Sequence, residues 1–470
     1  MHWLDFMIFG CYMAGVLTIG FYFFHKNVSR EDYYVGNRQI SSFHVGLSVV
    51  ATDVGGGFSI GLGGLGFLMG LSGSWLIFTG LVGAWLTAVL IIPRLKRIDK
   101  KLGLLTFPDF LRHHYGSSVA LAAALISGIG YLGFTGAQIL AGAKLAAGTM
   151  FFRLFPDNPL QGSLYIIAGI IILYTVLGGL KAVIYTDTAQ WIILMTGLTF
   201  FALPFSLHRA GGWQAVRNTL PDAYFTLANV GWVQLVNWFV TIIPIWFIGM
   251  TLYQRIYACR NAKEAQKAWF IAGLFEYPLL AFVGVTLGMI ARVLTPGVEA
   301  EMGLPLLIKQ SLPIGITGLV LASCFSAIMS TADSCLIASS GNFVNDIIEK
   351  IFLKNPSQKQ LIRLSQLVTL IIGASTVVIA GRFATVLEII LHAYAFMVSG
   401  LFIPTLGAFF CRRKHPSAAL AGMLSGGGLT LFMIITQIPL PLGLDASFYG
   451  ILLSALVFFT LNRTLKPKEG

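Results

Sequence analysis

Charged side chains are scarce in this sequence: Asp, Glu, Lys and Arg make up only 11% of the 470 residues, whereas 56% are hydrophobic. Soluble domains carry about 25% charged residues. The shortage excludes a water-soluble fold and predicts an all-α, polytopic membrane protein. Thirteen apolar stretches approach or exceed the roughly 20 residues that cross a bilayer, at 3–24, 43–69, 72–92, 118–151, 161–179, 187–207, 231–254, 268–291, 314–345, 365–381, 385–410, 418–437 and 445–462.

Cysteine is also rare, and the usual motifs of catalysis and metal binding are missing. The five cysteines have no CxxC spacing, which excludes a disulfide framework and a zinc site; they are Cys11, Cys259, Cys324, Cys335 and Cys411. The loops hold no HExxH motif, close carboxylate pair or Ser/His/Asp grouping, so we expect no enzyme activity and no cofactor. The chain stops at Gly470 without a signalling domain, which argues against a transport-inactive sensor.

Acidic residues are the rarer charged type, 19 against 31 basic ones, so the net charge is +12. Most of the Lys and Arg residues, Arg255 among them, fall in loops on the predicted cytoplasmic side, which indicates membrane topology and not nucleic-acid binding. The bias predicts a membrane protein with its amino terminus outside and its carboxyl terminus in the cytoplasm, and we expect the membrane to be a bacterial inner membrane. The first apolar segment lacks a basic leader and a cleavage pattern, so we expect a retained span. No obligate protein partner is evident.

The second apolar stretch is interrupted at its middle by Ala51-Thr52-Asp53-Val54-Gly55-Gly56-Gly57. A carboxylate at bilayer depth costs on the order of 3 kcal/mol, and glycines weaken a helix, so we predict an unwound helix that lines a polar cavity. Pro244 and Gly249 interrupt the span near 231–254, five spans later.

Two interruptions five spans apart are typical of a five-helix unit repeated with inverted topology, as in the leucine-transporter-like fold. We therefore predict a single transporter domain over 1–470. It has an extra helix in 1–30, repeats in 43–207 and 231–410, and two extra helices and a tail in 417–470.

Hydroxyl side chains are concentrated in the ninth span. Ala327, Ser330 and Thr331 fall at positions i, i+3 and i+4, so two hydroxyls and a carbonyl face one point. Hard cations bind such oxygens, and unwound backbone near Ala51 could add carbonyls, which predicts a sodium site. Back-bonding of the hydroxyls to their own helix is the alternative.

Several further segments resemble the sodium/solute symporter family, which includes bacterial proline and pantothenate symporters. These segments are Asp32-Tyr33-Tyr34-Val35-Gly36-Asn37-Arg38, residues 178–190, and Gln254-Arg255. The interruption at 51–57 and the ninth span also match the family. It implies thirteen helices, alternating access, and sodium held by the carbonyls of Ala51, Val54 and Ala327 with the hydroxyls of Ser330 and Thr331.

The resemblance also suggests roles for two acids. Asp53 matches an acid of the proline symporters and could steady sodium or contact solute. Asp187 resembles an acid on the cation's exit path, although it could instead cap its helix. Asp333 points away from the sodium ligands, so we expect it to have an intramembrane partner or water.

We expect the solute to lie between the two broken helices and the third and tenth core helices. The candidate contacts are Asp53, Gly55, Phe58, Ser59, Gln138, Trp246, Gly249 and Tyr394. A sugar is disfavoured, because Phe58 and Leu76-Ile77-Phe78 stand near the polar positions of sugar symporters.

Four further ionisable residues lie within spans: Lys144, Glu276, Glu388 and His392. Glu388 and His392 are one turn apart and could pair or relay protons.

Our hypothesis is sodium-coupled uptake of a small polar solute, an amino acid or similar zwitterion, with sodium, solute and lipid as partners. A proton-coupled symporter or a sensor on the same scaffold, and a channel, are the alternatives.

Overall fold

The computed structural model describes residues 1–24, 35–152, 154–353 and 356–465, and these are almost entirely helical. In chain order the α-helices, numbered α1 to α20, are Trp3–Phe24, Ser42–Met69, Trp75–Leu90, Ile92–Leu102, Phe107–Tyr115, Ser117–Thr149, Pro159–Thr196, Leu203–Arg209, Trp213–Thr219, Trp232–Ile248, Met250–Ala258, Ala262–Phe275, Phe282–Leu294, Gly303–Ser311, Ile316–Gly341, Glu349–Phe352, Gln358–Ala380, Val386–Phe410, Pro416–Thr436 and Ala446–Thr464.

Short helical segments of other types link some of these. The 3₁₀ segments are Gly36–Arg38, Gly70–Ser74, Asp222–Phe225, Ala300–Met302 and Pro441–Gly443, and the π-helical segments are Gly197–Ala202, Glu276–Ala281 and Asn342–Ile348. The π segments continue α7 into α8, α12 into α13 and α15 into α16, so that helical structure is uninterrupted through each pair.

Each of the thirteen predicted spans coincides with helical structure. By length and composition, ten described stretches could cross a bilayer, or eleven if α10 and α11 form one span bent by 42°. Helix α1 is not among them, because its described apolar part is shorter. One stretch, Ile60–Leu90, joins the second half of α2 to α3 across a 3₁₀ turn.

Helix α7 contains two predicted spans, and a hydrogen bond shows where they separate. Tyr174 Oη donates to Thr186 Oγ1 at 3.2 Å, although the two residues are twelve positions apart in sequence. Twelve residues of straight helix extend about 18 Å, which is farther than two side chains can bridge. The chain must therefore bend between Tyr174 and Thr186.

Helix α15 lies at the centre of the bundle. Its most apolar stretch is entirely buried, and it packs against α1, α2, α6 and α7. The polar side chains of α15 therefore face other helices and not lipid. Helix α2 also packs tightly on α13, where a methyl group on Gly288 would lie only 2.1 Å from the Gly63 carbonyl oxygen. Small residues allow such close helix contacts in membranes.

Candidate cation and solute site

The break in α2 falls at Gly55. Its backbone angles, φ 39° and ψ −168°, lie in a region that is essentially restricted to glycine. A methyl group there would also lie 2.6 Å from Thr331 Oγ1 and 2.8 Å from Gln138 Oε1. Gln138 Oε1 accepts a hydrogen bond from the Gly56 amide at 2.7 Å and so satisfies a donor that the break frees. The predicted unwinding is therefore a sharp, capped kink.

The second interruption lies between α10 and α11. Pro244 remains inside α10, and the helix ends at Gly249, with φ −62° and ψ 117°. The Gly249 amide still donates to the Ile245 carbonyl at 2.8 Å. A methyl group on Gly249 would have its nearest neighbours in Leu252 and Ile245. Gly249 thus marks the break that the sequence predicts, but its nearest contacts are within its own segment.

Four of the five predicted sodium ligands meet between α2 and α15. Ser330 Oγ lies 2.9 Å from the Ala51 carbonyl oxygen and 3.2 Å from that of Ala327. Thr331 Oγ1 lies 3.1 Å and 3.2 Å from the same two oxygens. Val54 is buried directly before Gly55, which contacts Thr331. The hydroxyls bond to their own helix, the alternative considered above, and also reach across to α2.

These oxygens have a spacing close to what a small cation needs. With ligands at about 2.4 Å, as for cations of this size, two oxygens at right angles lie about 3.4 Å apart. The observed separations of 2.9 to 3.2 Å would have to widen by only a few tenths of an ångström. The ligand set is neutral, since hydroxyl and carbonyl groups carry no charge.

A buried ion pair lies one helical turn from these ligands. Arg255 Nη2 contacts Asp187 Oδ2 at 3.0 Å and Ser334 Oγ at 2.8 Å, while Nε donates to Ser48 Oγ at 2.9 Å. Ser48 also donates to Asp187. The network joins α2, α7, α11 and α15. Asp187 lies inside α7 and accepts hydrogen bonds from Ser48 of α2 and Arg255 of α11, so it does not have the helix-capping geometry that we considered.

The sequence assigned Arg255 to a cytoplasmic loop, and this assignment was wrong. Arg255 is fully buried, and its guanidinium group is surrounded by the polar groups of four helices. Its position at the end of an apolar run gave no sign of this, because the partners are supplied by distant segments. A buried charge of this kind is stable only when paired and hydrogen-bonded.

Asp53 faces a different point, beside Gly80 of α3. A methyl group on Gly80 would lie 3.4 Å from Glu276 Oε2, 3.7 Å from Trp246 Nε1 and 3.8 Å from Asp53 Oδ2. The structure thus brings together two of the predicted solute contacts, Asp53 and Trp246, and adds Glu276. The sequence identified Glu276 as an intramembrane acid but could not predict its neighbours, which lie in other helices.

Gln138 and Tyr394 are also predicted solute contacts, and both are buried. Gln138 Nε2 is buried and has no partner among the described residues. Tyr394 is buried, with its ring 5.1 Å from that of Phe134. The side chains of Phe58 and Ser59 lie outside the described part of the structure.

Two other buried ionisable residues, Asp333 and Lys144, have side-chain partners in other segments of the chain. Thr175 Oγ1 donates to Asp333 Oδ1 at 2.7 Å, which gives Asp333 the kind of intramembrane partner that we expected. Lys144 Nζ contacts Glu299 at 2.5 Å and Glu301 at 2.7 Å.

Glu388 and His392 do not form the pair that the sequence suggested. Glu388 instead accepts a hydrogen bond from Thr385 at 3.4 Å, and His392 Nδ1 has no partner among the described residues. Thr385 precedes α18 and Glu388 lies in its first turn, where acidic side chains bend back toward the helix start. Glu388 and His392, both within the described residues, therefore have no hydrogen bond to each other through which they could relay a proton.

Comparison with known proteins identifies the scaffold. The sequence profile of the Sodium:solute symporter family matches residues 33–426. The chain belongs to this family. It is therefore a multi-pass membrane protein and a sodium-coupled solute symporter, and it is a transporter rather than an enzyme.

Curated members of the family are similar over most of this symporter's length. The high-affinity proline transporter PutP of Bacillus subtilis (strain 168) is 28% identical, with 88% of this chain and 89% of that protein covered. Sodium/glucose cotransporter 1 of Ovis aries is 25% identical, with 92% and 72% covered. Relatives that are named for different solutes thus have about the same sequence identity to this symporter.

Solved structures confirm the leucine-transporter-like fold. A Na⁺-coupled sialic acid symporter in a substrate-bound, outward-open state has a TM-score of 0.82 at 20% identity, covering 99% of this symporter and 98% of that chain. The nucleobase-cation-symport-1 family transporter Mhp1, in a closed conformation with bromovinylhydantoin, has a TM-score of 0.61 at 13% identity, covering 92% and 94%.

Proposed function

We propose that this symporter imports a small polar organic solute, an amino acid or similar zwitterion, together with sodium by alternating access. Coupling to sodium is supported by the hydroxyl groups of Ser330 and Thr331, which lie within hydrogen-bond distance of the carbonyls of Ala51 and Ala327. We assign these groups and the Val54 carbonyl as sodium ligands. Hydroxyl groups do not ionise near pH 7, so the site suits a metal cation better than a proton.

Sodium at this site would fasten the kinked half of α2 to α15. Bound sodium satisfies oxygens from both helices at once, so it favours the conformation in which they are close together. A solute that contacts the same kink would bind more tightly in that conformation, and sodium and solute would strengthen each other reciprocally. This is the coupling that symport requires.

Release of sodium toward the cytoplasm would involve the Arg255–Asp187 network. Ser334 Oγ donates to the Ser330 carbonyl at 2.9 Å and also receives a hydrogen bond from Arg255. A change in the network is therefore transmitted to a sodium ligand within one turn of α15. We assign Asp187 to the cation path on this basis, in a protein oriented with its amino terminus outside a bacterial inner membrane.

The available energy is sufficient for accumulation. One sodium ion that crosses about 150 mV gains roughly 3.5 kcal/mol. A tenfold sodium gradient adds about 1.4 kcal/mol. Together they would concentrate a neutral solute by more than about a thousandfold.

Thermal unfolding of the purified protein in sodium and in potassium tests the cation site. We expect sodium to raise Tm, because a ligand at 100 times its Kd stabilises the folded state by about 2.7 kcal/mol. The double substitution Ser330→Ala/Thr331→Ala should abolish this rise. Ser323→Ala is the matched control, since Ser323 lies on the same helix and its hydroxyl group donates to the Val320 carbonyl at 2.7 Å. An equal sodium response in the parent and the double variant would refute the assignment.

A further inference from the structure

Three helical segments aim polar atoms at the point beside Gly80. Glu276, in the π-helical segment between α12 and α13, is fully buried, and neither of its carboxyl oxygens has a partner among the described residues. Trp246 is equally buried, and its indole Nε1 is also unpartnered there. Asp53 completes the cluster from α2, with Oδ2 3.8 Å from the methyl position on Gly80.

Such an arrangement is costly unless something binds to it. A carboxylate within the bilayer costs on the order of 3 kcal/mol, and a second nearby carboxylate adds repulsion. The fully buried cations within the described part of the bundle are engaged elsewhere, Arg255 with Asp187 and Lys144 with Glu301. Asp53 and Glu276 must therefore either hold protons or be compensated by the positive charge of a bound species.

The indole group narrows the chemistry of that species. An indole N–H only donates hydrogen bonds, so it cannot be a ligand to a metal ion. A neutral polyol could bond to all three groups, but it would leave the carboxylates without a countercharge. A protonated amino group supplies both the charge and N–H donors for two carboxylates, and an oxygen acceptor attached nearby would satisfy the indole N–H.

We propose that Glu276 and Asp53 bind the protonated amino group of the transported solute, while Trp246 Nε1 donates to an acceptor oxygen of the same molecule. This inference rests on the proposed symport function and names its solute class: compounds with an ammonium group beside a carboxylate or carbonyl. Asp53 is partly exposed, whereas Glu276 is fully buried.

Two glycines of α3 fit this assignment. The 3.4 to 3.8 Å contacts of a methyl group on Gly80 are ordinary van der Waals distances, so glycine leaves unfilled space where the three polar groups converge. A methyl group on Gly83 would lie 2.4 Å from Trp246 Cδ1, so glycine there lets the indole pack directly on the α3 backbone. Gly80 thus provides space for the ligand, and Gly83 positions the indole.

The location also places the amino group next to the cation ligands. Asp53 lies between Ala51 and Val54 in the sequence, on the same kinked part of α2. A solute held by Asp53 would therefore restrain the backbone that supplies two of the proposed sodium ligands. This provides a direct physical route for the reciprocal coupling of solute and sodium.

The test is thermal unfolding of the full-length protein in sodium, with matched solutes: the standard amino acids, their N-acetyl derivatives, the corresponding primary amines without a carboxyl group, and D-glucose. We expect at least one amino acid to raise Tm and its N-acetyl derivative to fail. Glu276→Gln should weaken that amino acid's binding at least tenfold. Glu388→Gln, at an exposed acid outside the cluster, should leave it unchanged.

Two further readouts separate recognition from a structural role. Glu276→Gln without solute should melt no lower than the parent, because it removes an uncompensated charge. Trp246→Phe should weaken binding of the amino acid but not of the matching amine. Equal binding of the N-acetyl derivative, binding of D-glucose alone, no response to any amine, or parental affinity in Glu276→Gln would each overturn the proposal. The sodium-induced Tm shift without solute tests the cation site separately, so the two failures are distinguishable.

Discussion

Replacing Gly55 with alanine should disable the sodium site at a single position. The φ of 39° and ψ of −168° are strained for any residue with a Cβ, at a cost of about 1–3 kcal/mol. The new methyl group would also lie 2.6 Å from Thr331 Oγ1 and 2.8 Å from Gln138 Oε1, and such overpacking costs about 1–3 kcal/mol. We expect Gly55→Ala to lower the free energy of unfolding by about 2–6 kcal/mol.

The same substitution should also remove the sodium response. The clash pushes Thr331 away from the position in which its hydroxyl group reaches the Ala51 carbonyl. The measurement is Tm in sodium and in potassium, for Gly55→Ala beside the parent. Loss of the sodium-induced shift, together with a lower Tm in potassium, is the expected result.

Gly61→Ala is the matched control on the same helix. Gly61 lies inside regular α2, and a methyl group there would make an ordinary 3.5 Å contact with Leu387 Cβ. Alanine is favoured over glycine in helices by up to about 1 kcal/mol, so this variant should be as stable as the parent and keep its sodium shift. A Gly55→Ala protein with parental Tm and a full sodium shift would refute the kink as the basis of the site.

Two further predictions concern charged groups. Arg255→Met should destabilise the protein by about 3–5 kcal/mol in denaturant unfolding, because it leaves Asp187 buried without its cation. Adding Asp187→Asn should recover part of that loss. If the double variant recovers none of it, the ion pair is not the cause of the loss. His114 lies in α5, where burial and then Lys414 lower its pKa to about 4. The unfolded chain therefore binds this proton more readily, and stability falls as pH drops from 6.5 toward 4. His114→Gln should show a smaller decrease in Tm over that range, and an unchanged decrease would contradict the assignment.

The sequence predicts the helical architecture well because its signals are local. Apolar length locates each span, and the acid and glycines of 51–57 locate the kink within one helix. The hydroxyl spacing in α15 is also local, so Ser330 and Thr331 could be selected without knowledge of other helices. The boundaries of the two repeats and the roles of the ligands remain predictions.

Tertiary partners could not be predicted in the same way. Glu276 and Asp53 are far apart in sequence, and only the packing of α2, α3 and the π-helical segment brings them to one point. Arg255 appeared to be a loop residue because the polar groups that surround it come from four helices. The expected Glu388–His392 contact failed because helical spacing permits a contact without requiring it, and Glu388 bonds to Thr385 instead.

The position of α15 explains how one helix can serve both the sodium site and the buried ion pair. Ser330 reaches α2 through its side chain, while its carbonyl accepts from Ser334, which in turn is bonded to Arg255. Any movement of α2 that opens the sodium site must also change its bonds to Arg255, since Thr52 of α2 contacts the same guanidinium group. Buried polar networks are stable only when fully satisfied, so partly open arrangements are disfavoured. The helices should therefore exchange between two discrete arrangements, as alternating access requires.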